Sequence, residues 1–148
     1  STDTNMFATF FYGILDRNQS TFTFCNGGHN PPLLLRTDGS IERFEKGGLL
    51  LGFLPDQSYT QQTISIKPGE IIVLYTDGVT EAFGPFGEMI SENLFGEEQL
   101  ITVIRNNKDK SARQIQSAIL KAIAAHTANI PQSDDITLVI IKRRQQSD

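Results

Sequence analysis

The spacing of apolar and polar positions changes character about halfway along the chain. Before residue 70 the pattern is one of short strands. Residues 7–16, FATFFYGILD, are rich in β-branched and aromatic side chains and predict a strand. Asn18 and Gln19 predict a turn. Residues 21–25, TFTFC, alternate Thr and Phe, the period-2 sign of a strand with one buried face. The stretch Asn26-Gly27-Gly28-His29-Asn30-Pro31-Pro32 breaks that pattern. Residues 33–36 (LLLR) and 41–44 (IERF) predict two more strands. Asp38-Gly39 between them predicts a type I′ hairpin turn, in which both central residues need positive φ. Residues 59–66 (YTQQTISI) alternate again, and Lys67-Pro68-Gly69-Glu70 turns the chain into IIVLY at 71–75. The first half is expected to be a run of antiparallel hairpins.

The second half turns helical. Residues 97–105, EEQLITVIR, suit a short helix, and 111–127 suit a longer one. Ser111 and Gln114 have the spacing of a capping box. Ile115, Ile119, Ala122, Ile123 and His126 fall on one stripe at helical spacing. Pro131 stops the helix, and DDITLVIIK (134–142) closes the chain as a strand. Strands, then helices, then a strand predict an α+β layered domain. No repeat, low-complexity tract or long linker divides the chain, so residues 1–148 are expected to form a single domain.

Composition narrows the class. A chain of 148 residues can bury a sizeable core. With 39% hydrophobic and 20% charged residues it reads as globular rather than disordered. The formal net charge of −4 lacks the basic footprint that non-specific nucleic-acid binding needs. No apolar run approaches the ~18 to 20 residues of a membrane helix. The opening STDTNMFATFF lacks the basic and apolar regions of a signal peptide. The single cysteine, Cys25, cannot form an internal disulfide and points to a reducing cytoplasm. Within FTFC it reads as a small buried side chain.

Candidate chemistry lies at the strand ends. Asp77 follows the apolar run IIVLY, and Asp134-Asp135 precede ITLVII. If both strands are buried neighbours, these acids meet at one sheet edge. Gathered carboxylates repel one another and need a counter-charge, which hard divalent cations supply through oxygen ligands. Two such ions can orient a water for in-line attack on phosphorus. Gly78 lets the backbone turn sharply beside Asp77. From spacing alone, an ordinary Asp-Gly turn and a solvated strand cap are the more usual readings.

Four words occur in order along the chain: FCNGGHNPPLLL, LYTDGVTEA, FGEEQL and SDDITLVII, with LLLGFLP between the first two. Together they resemble the bacterial SpoIIE/RsbU branch of the metal-dependent serine/threonine phosphatases, the PPM or type 2C-like family. The resemblance spans nearly all of residues 7–143. It implies a layered α-β-β-α sandwich of mainly antiparallel sheets. It also implies hydrolysis of phosphoserine or phosphothreonine by metal-bound hydroxide, with a Mn2+ or Mg2+ pair and no covalent intermediate.

Carried over by residue, Asp77 and Asp134 resemble metal-ligating aspartates, with Gly78 and Asp135 in support. No catalytic group beyond the metal ligands is implied. His29, in Asn-Gly-Gly-His, reads as part of a tight structural turn, and His126 as packing at the end of its helix. The implied substrate is a small phosphorylated regulatory protein, such as an anti-sigma factor antagonist. An upstream sensor or signalling domain is implied in the parent protein, with no nucleic-acid or membrane contact from this chain. Residues 83–96, FGPFGEMISENLFG, read either as a surface loop with one helical turn or as a flap near the acids that helps to choose the substrate.

One departure bears on activity. Family members carry Gly-Asp-x-x-Asp and Gly-Asp-x-x-Gly-His-Gly words ahead of the first strand, and the acid in the second bridges both metals. Neither word occurs here. The chain therefore resembles the C-terminal portion of a catalytic domain whose N-terminal part is missing. It is expected to bind at most one ion weakly and to turn over little substrate alone. The alternative reading is a non-catalytic, phosphatase-like interaction module. A cupin-like metal site fits poorly, because it wants several His ligands and the chain has two.

The absent portion should supply strands and covering helices. Open strand edges and an uncovered apolar face favour pairing between chains. A dimer or domain-swapped assembly is therefore expected by light scattering at high concentration, and a clean monomer there refutes it.

Overall fold

The computed structural model describes residues 8–49, 51, 56–84, 93–128, 130–132 and 134–145. The elements assigned among them are, in chain order, β1 (Phe10–Asp16), β2 (Thr21–Gly27), β3 (Leu33–Leu35), β4 (Ile41–Arg43), β5 (Gly47–Gly48), β6 (Gln62–Ser65), β7 (Ile71–Tyr75), α1 (Asp77–Thr80), α2 (Gly96–Asn106), α3 (Ala112–Thr127) and β8 (Leu138–Lys142). They fall into two compact units. One comprises Ser1–Pro32 with Arg43–Lys67, the other Leu33–Glu42 with Pro68–Asp148.

The first unit is a sheet built around β2. β1 pairs antiparallel with β2 from Phe10↔Gly27 to Asp16↔Thr21. The connecting turn is held by the Asp16 carboxylate, which accepts from the backbone N–H groups of Asn18 and Gln19, each at 2.9 Å. β6 pairs antiparallel with β2, from Thr21↔Ser65 to Phe24↔Gln62. The period-2 expectation for TFTFC holds. Phe22 and Phe24 are buried, while Thr21, Thr23 and Cys25 are half-buried on the other face. Cys25 is thus less enclosed than the sequence suggested. The buried rings form a stack, with Phe24 and Phe44 centroids 4.4 Å apart. The Phe22 ring takes the space a side chain at residue 13 would need; a Cβ there would lie 2.3 Å from it. On the outer face of β1, Tyr12 and Ile14 are exposed, at 62% and 54%.

The expected run of hairpins is not continuous. The β3–β4 pair forms next in sequence, but in the sheet of the second unit. The chain is redirected by Asn26, which is buried. Its Nδ2 donates to the carbonyls of His29 (2.9 Å) and Phe44 (3.1 Å), and its Oδ1 accepts from the His29 N–H (2.8 Å). β5 was not foreseen. It pairs parallel with the end of β2, Asn26↔Gly47. A Cβ on Gly47 would fall 1.7 Å from the Asn26 carbonyl oxygen, so only glycine permits the pairing.

The second unit has strand order β4-β3-β7-β8. β7 pairs antiparallel with β3 (Leu33↔Val73, Leu35↔Ile71) and with β8 (Ile71↔Lys142, Tyr75↔Leu138). Ile71, Ile72 and Val73 are fully buried, which explains why this strand reads as an unbroken apolar run. β8 departs from expectation. It is an edge strand, only half-buried, and it begins at Leu138 rather than Asp134. α2 and α3 pack their apolar stripes on the sheet through Leu100, Ile104, Ile115, Ile119 and Ile123. The Ser111–Gln114 capping box is formed in both directions. His126 sits near the end of α3, its Nε2 2.8 Å from the Asn93 carbonyl and its ring edge-on to Phe95.

The Asp38-Gly39 turn is real but not type I′. Gly39 has φ +87, whereas Asp38 is not in the positive-φ region. The Asp38 carboxylate instead accepts from the Ser40 N–H (2.9 Å) and hydroxyl (2.6 Å). Those bonds hold its carboxyl below the usual range. They favour a type I turn followed by one left-handed glycine.

Across the base of the sheet, Arg36 donates to Glu42 (2.7 Å) and to Glu70 (2.9 Å). Burial pulls the Arg36 pKa down, but the hydrogen bonds and charges of the two carboxylates outweigh it and leave it raised. Glu70 is 1% exposed, so it depends on that pairing. Glu70→Ala is expected to cost about 3 kcal/mol in urea unfolding, because the guanidinium is then half-buried with one partner lost. Glu42→Ala, at the exposed end, should cost under about 1 kcal/mol in the same assay.

Candidate metal centre

The β7–β8 ladder ends at Tyr75↔Leu138, and the two strands remain joined beyond it. The Thr76 N–H donates to the Thr137 carbonyl at 3.1 Å. The Thr76 hydroxyl accepts from the Thr137 N–H (2.9 Å) and donates to the Asp135 carbonyl (3.2 Å). Both of its hydrogen-bonding roles are therefore spent on the loop before β8. Two residues on, the chains touch. A Cβ on Gly78 would lie 2.3 Å from the Asp135 carbonyl oxygen and 3.3 Å from that of Asp134. Residue 78 is glycine because a backbone carbonyl occupies the side-chain position.

This contact brings Asp77, Gly78, Asp134 and Asp135 to one corner. Asp77 opens α1, whose Val79 is fully buried and anchors the turn in the core. Asp77, Asp134 and Asp135 are all exposed to water. Gln132 Nε2 donates to the Asp134 carbonyl (3.0 Å), and Asp134 Oδ1 accepts from the Asp135 N–H (2.7 Å). The structure brings the Asp77 and Asp134–Asp135 segments together through this backbone contact. Asp134 and Asp135 do not extend β8, however; they sit in the loop ahead of it, while Asp77 opens α1 after β7.

The donor chemistry suits a hard divalent cation in kind, since only oxygen ligands are offered. In number it falls short of an ion pair. Among the described residues, no group of three or more Asp, Glu, His or Cys side chains is placed to hold a metal. Beside the corner runs a groove of about 480 Å³, lined by Gly78, Asp134 and Ile136 and by Leu120, Ile123 and Thr127 of α3. Most of the expected flap, residues 85–92, lies outside the described residues. Its two ends are joined, with the Gly84 N–H on the Asn93 carbonyl and the Phe95 N–H on the Ala82 carbonyl, both 2.9 Å.

Two features escaped the sequence reading: the bridging role of Thr76 and the apolar groove. Thr76 precedes the acid at a strand end, which could have flagged it, but its partners are 59 and 61 residues away.

The fold and this corner define a SpoIIE/RsbU-type PPM phosphatase domain. The family model described as stage II sporulation protein E (SpoIIE) matches residues 1–144, and the chain belongs to that family. It is similar to protein IcfG of Synechocystis, with 31% identity over 95% of this chain and 21% of IcfG. It is 30% identical to phosphoserine phosphatase RsbU of Bacillus subtilis, over 97% of this chain and 41% of RsbU. The chain thus spans well under half the length of either relative. Among solved structures, the RsbU and RsbW domains of Rv1364c from Mycobacterium tuberculosis superpose with a TM-score of 0.67 at 27% identity, covering 95% of this chain and 37% of that one.

Thr76→Val should remove two hydrogen bonds and lower stability by about 1 to 2 kcal/mol, with Thr76→Ser close to the parent. Gly78→Ala drives a methyl into the Asp135 carbonyl and should cost about 1 to 3 kcal/mol. Urea unfolding of the three variants checks both, and a Gly78→Ala protein as stable as the parent would contradict the close approach.

Proposed function

We propose that this chain is the acid-bearing part of a protein phosphatase that removes phosphate from serine or threonine on a small bacterial regulatory protein. The observation that carries the reading is the corner where TDG meets DDIT across the Gly78–Asp135 contact, in a chain of the SpoIIE family. Asp77 and Asp134 hold a Mn2+ or Mg2+ ion, with Gly78 and Asp135 as supports. A dication bound there offsets phosphoryl charge and makes water more acidic. The chain's own residues do the positioning: Gly78 admits the Asp135 backbone, and Thr76 fixes that loop against β7.

The relatives support the substrate class. The Bacillus subtilis relative is named a phosphoserine phosphatase. In the Mycobacterium tuberculosis protein an RsbU domain occurs with an RsbW domain, which favours a partner in a regulatory system, such as an anti-sigma factor antagonist. An upstream sensor or signalling domain in the parent protein fits the small share of each relative that this chain covers. The lone cysteine favours work in the cytoplasm. No helix among the described residues is long and apolar enough to cross a membrane.

The absence of a three-ligand group among the described residues favours a second reading, in which the same fold binds a partner without hydrolysis. Manganese calorimetry and phosphate release from a phosphoserine protein separate the two, measured on this chain and on the full gene product. The enzyme reading expects Asp77→Asn and Asp134→Asn each to cut release by the full product at least about 100-fold, at the upper end of what supporting groups cost. It also expects weak binding of at most one ion to the 148-residue chain. Hydrolysis that survives both substitutions would overturn the assignment.

A further inference from the structure

A second surface lies at the opposite end of the β7–β8 ladder from the acids. There a groove of about 980 Å³ is lined by Arg36, Lys108, Lys110, Arg113, Lys142 and Arg144, with Asp109 as its one acid among the described residues. These are six of the chain's 13 basic residues, in a protein with 17 acids and a net charge of −4. Arg36 is neutralised by Glu42 and Glu70. The other five make no ion pair among the described residues.

Helix stability does not account for Arg113. Arg113 lies in the first turn of α3, which contains no acidic residue. A cation there opposes the α3 dipole, whereas Lys108 and Lys110, just past the C-terminus of α2, suit the dipole of that helix. The arrangement is nonetheless held in place. Lys142 Nζ on β8 donates to the carbonyls of Lys108 and Lys110, both at 2.6 Å, pinning the α2–α3 loop to the sheet. A cation set against the helix dipole beside a loop fixed by other contacts is where a functional surface is expected.

We propose that this groove docks an acidic segment of a partner protein. Its volume is at the top of the range for small-molecule sites, which suits an extended peptide better than a metabolite. Leu35, Ile140 and Ile141 line it beside the cations, so it offers apolar contact as well as charge. A long polyanion such as a nucleic acid would also meet the acid excess of the remaining surface. The proposal does not depend on the phosphatase reading. It requires no metal, and the groove shares no residue with the acid corner.

The test is fluorescence anisotropy of this chain with a short labelled glutamate-rich peptide. A lysine-rich peptide and an oligothymidine of equal length serve as comparisons. The glutamate peptide should bind, and added salt should weaken it. Arg113→Glu and Arg144→Glu should each weaken it about tenfold or more. Lys121→Glu makes the same charge change on α3 outside the groove and should leave binding within about twofold. Circular dichroism should show all three folded, since Arg113→Glu suits the helix dipole and Arg144 is exposed beyond β8. Three results would overturn the proposal: no binding of the glutamate peptide, equal loss with Lys121→Glu, or oligothymidine binding as tightly with the same variant pattern.

Discussion

The geometry of the acid corner depends on one close approach, the Asp135 carbonyl oxygen over the α-carbon of Gly78. A Cβ at residue 78 would stand 2.3 Å from that oxygen. Without the approach, Asp77 and Asp134 are two exposed acids on separate loops. With it, they belong to one surface, because the Thr76 hydroxyl bonds to both Thr137 and Asp135. The contact continues the β7–β8 register. A slip of one residue in that pairing would turn alternate side chains to the wrong face and move Asp135 off Gly78. The apolar packing of β7 therefore specifies the position of groups that are not apolar.

β7 is preceded by one acid and followed by another, and burial separates their roles. Glu70 precedes the strand, is almost fully buried, and is held by Arg36 at 2.9 Å. A carboxylate in that place serves the fold, because its desolvation must be offset inside the protein. Asp77 follows the strand and is exposed. An exposed carboxylate bears little desolvation cost. Residue type alone does not distinguish these two acids; depth in the sheet does.

The same division explains what the sequence disclosed. Local signals were legible. The Thr/Phe alternation of β2, the Ser111–Gln114 box and the Ile115–Ile119–Ile123 stripe all rest on neighbours a few residues away, and all three form. Features set by distant neighbours were not. β5 exists because Gly47 can sit against the Asn26 backbone, and nothing in Lys46-Gly47-Gly48 announces a partner 21 residues upstream. The redirection of the chain after β2 rests on Asn26 reaching Phe44. The turn at Asp38 was misassigned because the Asp38 side chain competes for the Ser40 N–H, a local effect that the Asp-Gly pairing rule omits. At the acid corner, the motif words located Asp77 and Asp134, whereas Thr76 emerges only from bonds that span about sixty residues.

Charge is divided along the β7–β8 ladder, and the length of the ladder makes that division effective. The register from Ile71↔Lys142 to Tyr75↔Leu138 separates the basic groove from the acid corner by about 14 Å at the rise of an antiparallel strand. The Debye length at physiological salt is about 8 Å, so exposed charges at the two ends act on each other weakly. The acids can keep a potential that attracts cations while the far end keeps one that attracts carboxylates. Keeping the basic side chains at the far end of the strand pair leaves the two proposed sites with charges that act on each other weakly.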